Sequence, residues 1–336
     1  SEAVGERRHA VMTGVDERTI DDAVRRLESG ELVAFPTETV YGLGADASSP
    51  AAVARIFAAK GRPADHPLIV HLASAGQVLD WARDFPEPAR KLAQAFWPGP
   101  LTLVLSRAAG VLDEVTGGQD TVALRVPAHP VAQALLRRFG RGIAAPSANR
   151  FGRVSPTRAA HVRDELGDRV GLVLDGGECE VGLESTIAAC GDDRVSLLRP
   201  GRITLAELER VVGRVDPAGP SVPRVPGSLR SHYAPSTPIE LVEPRLIETR
   251  CTVGSGAGRM AVLARRPPPA NARVLAWRTM PAHPDGFGHE LYAALRALDE
   301  FGASRILVEA VPGGEAWAAI RDRLERASTR DIQDET

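Results

Sequence analysis

Short apolar runs alternate with amphipathic segments along residues 16–212, and this alternation limits the possible folds more than any other feature. Runs of this length are typical of strands, and the segments between them have helical periodicity. We predict strands at 31–36, 68–72, 101–106, 121–126, 142–146, 171–176, 184–190 and 195–200, and helices at about 86–96, 129–139, 157–166 and 204–212. Strands interleaved with helices predict an α/β fold with a mixed rather than purely parallel sheet.

The composition changes over residues 216–238, where DPAGPSVPRVPGSLRSHYAPSTP holds six prolines and little continuous apolar pattern. This predicts an extended linker, although a passive tether needs no adjacent His232 and Tyr233. We therefore predict a first domain at 16–212, a proline-rich linker or lid loop at 213–238, and a small α/β domain at 239–336.

In the second domain we expect strands at 238–243, 259–265, 272–277 and 304–311, and helices at about 288–302 and 314–328. The sequence GSGAGR at 254–259 precedes a strand instead of opening a helix. We interpret it as a turn, because a dinucleotide-binding loop has to open a helix.

The overall composition excludes several classes of protein. A length of 336 residues favours about two domains, and a net charge of −2 argues against a nucleic-acid coat protein. No apolar run approaches the ~20 residues that cross a bilayer, and the opening residues contain no secretory signal. Cys179, Cys190 and Cys251 are far apart and odd in number, which favours a reducing cytoplasm over disulfides or structural zinc. The eight histidines show no metal-ligand spacing. The apolar runs, the opening residues and the cysteines together lead us to expect a cytoplasmic protein without membrane contact.

Lysine is rare in this chain: of 41 lysines and arginines, only Lys60 and Lys91 are lysine. Ser49 and the proline after it predict a helix start, and Lys60 falls on the same face as the apolar residues at 53, 56 and 57. A cation at a helix end is often explained by the helix dipole alone. An ammonium on an apolar face, however, is costly to bury unless it meets an anion. Lys60 and Arg62 are therefore candidates for binding a phosphate.

Polar side chains also stand at the ends of other strands: Thr121, Arg125, Ser147, Asn149, Ser185, Thr186 and Arg199. Ligands of α/β sheets usually bind at strand ends, but a solvent-facing strand and ordinary Asn/Ser turns explain the same patterns. Ser155 with the following proline indicates a helix cap. No Walker A loop, G-x-S-x-G motif or convincing Ser-His-Asp arrangement is present. Cations and hydroxyls of this kind are suited to binding a polyphosphate and a small polar molecule.

The motifs PTETVYGLGADA, KGRP with HPLIVH, WPGPLTLVL, VALRVP, PSAN, ESTI and LRPG stand in one order along about residues 20–212. In this combination the chain resembles the threonylcarbamoyl-AMP synthases of the YrdC type, and the loop with HYAP resembles their two-domain branch. The resemblance implies a twisted α/β sheet around a deep positive cavity and a small Rossmann-like C-terminal domain. It also implies that L-threonine, bicarbonate or CO2, and ATP give L-threonylcarbamoyl-AMP and pyrophosphate. A separate tRNA threonylcarbamoyl transferase machinery would use this product to modify tRNA.

The resemblance also implies roles for individual residues. The positions that would contact ATP are Lys60, Arg62, His66, Thr121, Ser147, Asn149, Ser155, Arg199 and Tyr233. The positions that would contact threonine are Thr39, His71, Arg125, Ala145 and Ser185. Lys60 and Arg62 would stabilise charge, Arg125 would bind the threonine carboxylate, and Asn149 would help to hold Mg2+, whose full ligand set is unknown. His66 stands where the family often has asparagine.

Two alternatives stay open at this point. One is a carbamoyltransferase-type relative, although such proteins have further domains or zinc-finger cysteine pairs. The other is a regulatory module that binds double-stranded RNA or tRNA, which the net charge of −2 disfavours because phosphate-driven affinity needs several exposed cations. Weak tRNA binding remains compatible with the synthase.

Overall fold

A computed structural model describes residues 15–219, 222–227, 229, 231–252 and 259–329. The strands of the first part are β1 (Val33–Phe35), β2 (Gly42–Asp46), β3 (Ile69–His71), β4 (Leu101–Ser106), β5 (Thr121–Arg125), β6 (Ile143–Ala144), β7 (Leu172–Val173), β8 (Thr186–Cys190), β9 (Val195–Arg199) and β10 (Asp216–Pro217). Its helices are α1 (Glu17–Glu28), α2 (Pro50–Lys60), α3 (Glu87–Phe96), α4 (Asp113–Thr116), α5 (Pro130–Phe139), α6 (Ala159–Leu166) and α7 (Leu205–Val212). The second part has β11 (Ile239–Val242), α8 (Ile247–Thr252), β12 (Met260–Ala264), β13 (Ala276–Thr279), α9 (Pro284–Asp299), β14 (Arg305–Glu309) and α10 (Ala318–Ser328).

The first ten strands form one sheet in the order β10-β9-β8-β4-β5-β3-β6-β2-β1-β7. The pairs β1/β2, β4/β5 and β8/β9 are antiparallel, whereas β3/β5, β4/β8 and β1/β7 are parallel. The predicted mixed α/β fold is therefore confirmed. The main apolar core packs α2, α3 and α7 onto the sheet, and a second cluster packs α1 and α5.

Helix α2 shows how the sequence brings a cation inside. The Ser49 hydroxyl accepts from the Ala52 amide at 3.3 Å, and Gly61 ends the helix at φ 62°, a left-handed conformation that glycine adopts without steric cost. The apolar face packs in the core, and Lys60 at the end of that face is only 3% exposed. The predicted burial of this lysine is confirmed.

Several elements differ from the sequence predictions. The cap predicted at Ser155 is wrong, because α6 begins four residues later and the Ser155 hydroxyl bonds to Glu184 instead. Strands β2 and β10 and helices α1, α4 and α8 were not predicted. Strand β13 begins four residues after the predicted 272, at Ala276, and α9 starts four residues before 288. The turn predicted at GSGAGR lies outside the described residues, apart from Arg259.

The C-terminal strands form a separate, fully parallel sheet in the order β11-β14-β12-β13. Helices α9 and α10 cover it with a core that includes Phe287, Leu291 and Leu295. Val40 and Leu183 of the first domain and Tyr233 of the linker belong to this same apolar cluster. The two domains therefore share a continuous core beside the linker. Within the described ranges, no helix has the length and apolar character needed to span a bilayer.

Candidate active site

Strand ends and the linker enclose a narrow cavity of about 50 Å³. Parallel strands β3 and β5 end beside each other and place His71 opposite Arg125. The start of β8 and the end of β9 add Ser185 and Arg199, and the linker adds Tyr233. The cavity therefore lies where an α/β sheet usually binds its ligand.

Nine of the fourteen predicted site residues line this cavity: Thr39, Arg62, His71, Arg125, Ala145, Ser147, Ser185, Arg199 and Tyr233. This set contains every residue predicted for the amino-acid substrate. The other five lie outside the cavity walls: Lys60, His66, Thr121, Asn149 and Ser155.

Arg125 is held by three hydrogen bonds, one from each nitrogen. Nη2 donates to Glu38 Oε1 at 2.5 Å, Nη1 to Thr39 Oγ1 at 2.8 Å and Nε to Gly99 O at 3.2 Å. Arg125 and Glu38 are 3% and 6% exposed, so this is a buried ion pair. A guanidinium has five N–H groups, which leaves two of them for a ligand. Arg125 is thus rigidly positioned and can still bind a carboxylate.

His71 is neutral in this cavity. Burial, and then the positive charge of Arg125, lower the pKa of His71 to about 3. Its Nδ1 is buried and has no hydrogen-bond partner of normal distance and angle in the part of the chain that the structure describes. The imidazole therefore offers a hydrogen bond to a ligand without adding a charge.

Lys60 supports the loop that carries the S-A-N motif. Its Nζ donates to Ser147 O and to Asn149 O, each at 2.5 Å. Burial lowers the pKa of Lys60 well below its usual value, and Arg62 adds to this. The ammonium that sequence reasoning assigned to a phosphate thus binds two backbone carbonyls behind the cavity wall.

Arg62 and Arg199 are buried cations that bond only to neutral groups of the described chain. Arg62 Nη2 donates to Pro67 O at 2.9 Å, and Arg199 donates to Pro226 O at 2.8 Å and to Ser185. They are 7% and 4% exposed, and neither has an ion pair among the described residues. Burial lowers the pKa of both, that of Arg62 to about 10. Because a buried charge is costly without a counter-charge, this part of the cavity is suited to an anion.

Several buried polar atoms of the predicted site have no hydrogen-bond partner among the described residues: Arg62 Nε, His71 Nδ1, Asn149 Oδ1 and Tyr233 Oη. Buried polar groups are normally hydrogen-bonded. Asn149 Nδ2 does donate, to Arg150 O at 2.7 Å and Arg153 O at 2.9 Å. The three atoms that belong to cavity-lining residues, Arg62 Nε, His71 Nδ1 and Tyr233 Oη, indicate a polar ligand at this site.

His66, Thr121 and Ser155 have other surroundings. His66 packs edge-on against Phe151 with ring centroids 5.2 Å apart, and burial lowers its pKa. Thr121 lies on the same face of β5 as Arg125, about 13 Å away at the usual strand rise. Ser155 is fully buried. The described chain places none of the three in the cavity wall.

The comparisons with known proteins agree with this geometry. A family model described as "Telomere recombination" matches residues 25–201, and one described as "Threonylcarbamoyl-AMP synthase, C-terminal domain" matches residues 203–329. The threonylcarbamoyl-AMP synthase of Pyrococcus abyssi is 42% identical over 94% of this chain and 95% of its own length. This chain belongs to the threonylcarbamoyl-AMP synthase family.

Other members of the synthase family give the same result. The Bacillus subtilis threonylcarbamoyl-AMP synthase is 41% identical and covers 92% of each chain. A crystal structure of the P. abyssi protein complexed with L-threonine has a TM-score of 0.87 at 40% identity and covers 94% of this chain and 95% of its own. The predicted family and fold are thereby confirmed, and the protein is an ATP-using transferase of the nucleotidyl type.

Sequence reasoning missed a synthase residue that joins both domains, the buried Glu184. Its Oε2 accepts from Arg323 Nε at 2.9 Å and from the Tyr292 hydroxyl at 2.8 Å, both in the C-terminal domain. Its Oε1 accepts from the Ser155 hydroxyl at 2.5 Å. Burial acts to raise the pKa of Glu184, but Arg323 and Arg199 outweigh it and bring the pKa to about 2. The acidic residue in the E-S-T-I motif was a signal that could have identified this position.

The synthase site is closed on one side by Tyr233, which is 1% exposed. Its φ of 61° is in the left-handed region, which non-glycine residues seldom adopt. Its hydroxyl packs against Gly227, where an added Cβ would lie 1.9 Å from the hydroxyl oxygen. Glycine at 227 is therefore required by this position of the tyrosine.

Proposed function

We propose that this protein makes L-threonylcarbamoyl-AMP and pyrophosphate from L-threonine, bicarbonate or CO2, and ATP. The observation that carries the proposal is the pair of buried guanidiniums, Arg62 and Arg199, which line the cavity and form no direct ion pair with a carboxylate of the described residues. The triphosphate of ATP is an anion of the required charge. Family membership supports the same assignment.

In this proposal threonine binds beside Arg125. The two unused N–H groups of the guanidinium suit a carboxylate, which prefers planar, two-pronged donors. Thr39 and Ser185 place hydroxyls at the same cavity, and Ala145 leaves space for the substrate. The neutral imidazole of His71 can bond to a polar group of the amino acid without repelling its amine.

The chemistry requires little covalent participation by the protein. The threonine nitrogen forms a bond to the carbon of CO2 and loses a proton, which gives a carbamate. A carbamate oxygen then attacks the α-phosphorus of ATP as the bond to the β-phosphate oxygen breaks and pyrophosphate leaves. Both reactants are anionic, so fixed cations accelerate the step by neutralising charge and holding the geometry.

Mg2+ fits this site as a companion of the nucleotide. The described residues contain no group of three or more histidine, cysteine or acidic side chains that could hold a metal. Mg2+ usually keeps several waters and binds through substrate phosphates with few protein ligands. Asn149, the residue predicted to help hold the ion, lies outside the cavity wall, so in this proposal the substrate phosphates and water would hold Mg2+, and the ion would neutralise phosphate charge. In this proposal the protein acts in the cytoplasm and delivers its product to a tRNA threonylcarbamoyl transferase.

One assay tests the function. Purified protein should release pyrophosphate only when ATP, bicarbonate and L-threonine are all present, and L-serine should support little release. Arg62→Met should raise the KM for ATP at least tenfold, whereas the exposed Arg55→Met should match the wild type. No threonine-dependent pyrophosphate would refute the synthase proposal. A salt-dependent RNA affinity without turnover would favour a binding module. Turnover of carbamoyl phosphate would favour a carbamoyltransferase.

A further inference from the structure

Ser185, which lines the cavity, meets a second buried hydroxyl outside the cavity wall. The Oγ1 atom of Thr102 lies 2.7 Å from Ser185 Oγ, and Thr102 is fully buried. Strands β4 and β8 run parallel with Thr102 opposite Ile187, and the Thr186 amide donates to Pro100 O at 3.0 Å. The register of these two central strands therefore fixes the distance between the two hydroxyls.

The hydroxyl of Thr102 is not needed for packing. Side chains 102 and 104 lie on the same face of β4, and Val104 packs there in an apolar cluster with Ala123 and Ile187. Valine has the shape of threonine without the hydroxyl, so it would fill position 102 without the cost of burying a polar group. The Thr102 hydroxyl therefore acts through the partner that the structure gives it, Ser185.

The surroundings of the pair decide which hydroxyl donates. Arg199 Nη2 donates to Ser185 Oγ at 3.2 Å, so one acceptor position of Ser185 is already occupied. If Ser185 donated to Thr102, the Thr102 hydrogen would be buried without an acceptor among the described residues. An unpaired buried donor is costly. If Thr102 donates to Ser185 instead, the one unused hydrogen is that of Ser185, which lines the cavity.

This direction limits what Ser185 can bind. A serine hydroxyl has one donor and two acceptor positions. Because Thr102 and Arg199 fill both acceptor positions, Ser185 can only donate to a ligand. Arg199 alone would orient the hydroxyl less well, since its Nη2 also donates to Ser185 O at 2.9 Å and makes the longer contact with Oγ. The partner of Ser185 is then an oxygen without hydrogen, as in a carboxylate, a carbamate or a phosphate.

We propose that Thr102 is a positioning residue that donates to Ser185 and so directs the Ser185 hydroxyl hydrogen to an anionic oxygen of the substrate. The identity of that substrate rests on the proposed function, but the direction of the hydrogen bond does not. Threonine carries such oxygens in its carboxylate and in the carbamate made from it, and ATP carries them in its phosphates. The kinetic test distinguishes these two sources.

The substitution Thr102→Val removes the hydroxyl and keeps the shape of the side chain. We expect kcat/KM to fall about fivefold, the contribution of one ordinary hydrogen bond, and the substrate whose kcat/KM falls carries the oxygen. Thr102→Ser keeps the hydroxyl and should stay within about twofold of wild type. The matched control is Thr252→Val, because the Thr252 hydroxyl donates to Glu248 O at 3.0 Å within α8. It should leave both values of kcat/KM unchanged.

A double-mutant cycle separates positioning from a general effect on the fold. In a Ser185→Ala background, Thr102→Val has no hydroxyl left to orient, so it should lower kcat/KM by less than about twofold. A substitution that only disturbs the sheet would cause the same loss in both backgrounds. Equal losses would therefore overturn the proposal, as would an unchanged kcat/KM for both substrates in Thr102→Val.

Neutron diffraction from ligand-free wild-type crystals grown in D2O tests the direction without any substrate. The Thr102 deuterium should lie between the two oxygens, and a Ser185 deuterium in that place would contradict the proposal. If the wild type releases no threonine-dependent pyrophosphate but Thr102 is the donor, the positioning of Ser185 stands and the proposed function fails. If pyrophosphate is released and Thr102→Val matches the wild type, the proposed function stands and the inference about Thr102 fails.

Discussion

Replacing Lys60 with methionine removes two hydrogen bonds from the interior while keeping a side chain of similar length. Ser147 O and Asn149 O would each lose the donor that now lies at 2.5 Å. A buried acceptor without a partner costs about 1–3 kcal/mol, so the two together cost about 2–6 kcal/mol. Removing a desolvated ammonium returns part of this cost. We expect a net loss of about 2–4 kcal/mol in the free energy of unfolding.

Urea denaturation and pyrophosphate release measure the two consequences. At a slope of about 2 kcal/mol per molar urea, the midpoint should fall by about 1–2 M. The S-A-N loop would lose its support, so we expect kcat/KM for ATP to fall about 100-fold. Lys91→Met is the control, because the Lys91 side chain is 53% exposed and forms a surface ion pair with Glu87 at 2.8 Å. An exposed pair of this kind contributes about 0.3–0.5 kcal/mol. If Lys60→Met has the stability and activity of Lys91→Met, the structural role of Lys60 is refuted.

Three further substitutions test the buried charges. His71 stays neutral in the folded protein down to about pH 3 but takes up a proton below pH 6.5 when unfolded. As the pH falls from 6.5 to 3, its contribution to the free energy of unfolding should therefore fall by up to about 1.4 kcal/mol per pH unit. Urea titrations over this pH range should show a shallower decline in stability for His71→Gln than for the wild type, and an equal slope would contradict this. Glu184→Gln removes the buried carboxylate that pairs with Arg323, which then keeps only the half-buried Asp322 among the described residues, and should cost about 3–5 kcal/mol in the free energy of unfolding. A loss below about 1 kcal/mol would show that the pair matters little. Arg125→Lys keeps the charge but loses the planar, two-pronged guanidinium, so the KM for threonine should rise about 10–100-fold. The exposed Arg138→Lys should leave this KM unchanged, and an unchanged KM in Arg125→Lys would exclude Arg125 from the substrate site.

Local periodicity was sufficient to predict many of the elements and part of the site. The spacing of apolar residues in α2 predicted that Lys60 would be buried, and Arg125, argued from its place on a predicted strand, does line the cavity. These predictions succeeded because helix faces and strand ends depend on residues close together in the chain. The position of His71 in the site was predicted only from the family resemblance.

Partners that are distant in sequence could not be predicted in this way. Arg323 and Glu184 are 139 positions apart, and Arg125 and Glu38 are 87 apart. Taken alone, each of these charged residues would be expected at the surface, since charged residues are seldom fully buried without a partner. Lys60 shows the same limit: its burial was predictable, but the two carbonyls that it binds come from a loop about ninety residues away.

The strand order of the C-terminal sheet affects when the protein can become active during synthesis. β14 lies between β11 and β12, although the ribosome makes it after both of them. The sheet cannot close until residue 309 has emerged, and α10 follows later still. Domains generally fold as units during synthesis, so the first domain can form while the linker still has no surface to bind. The C-terminal residues against which Tyr233 packs are therefore complete only near the end of translation, and so is the cavity wall that Tyr233 helps to form.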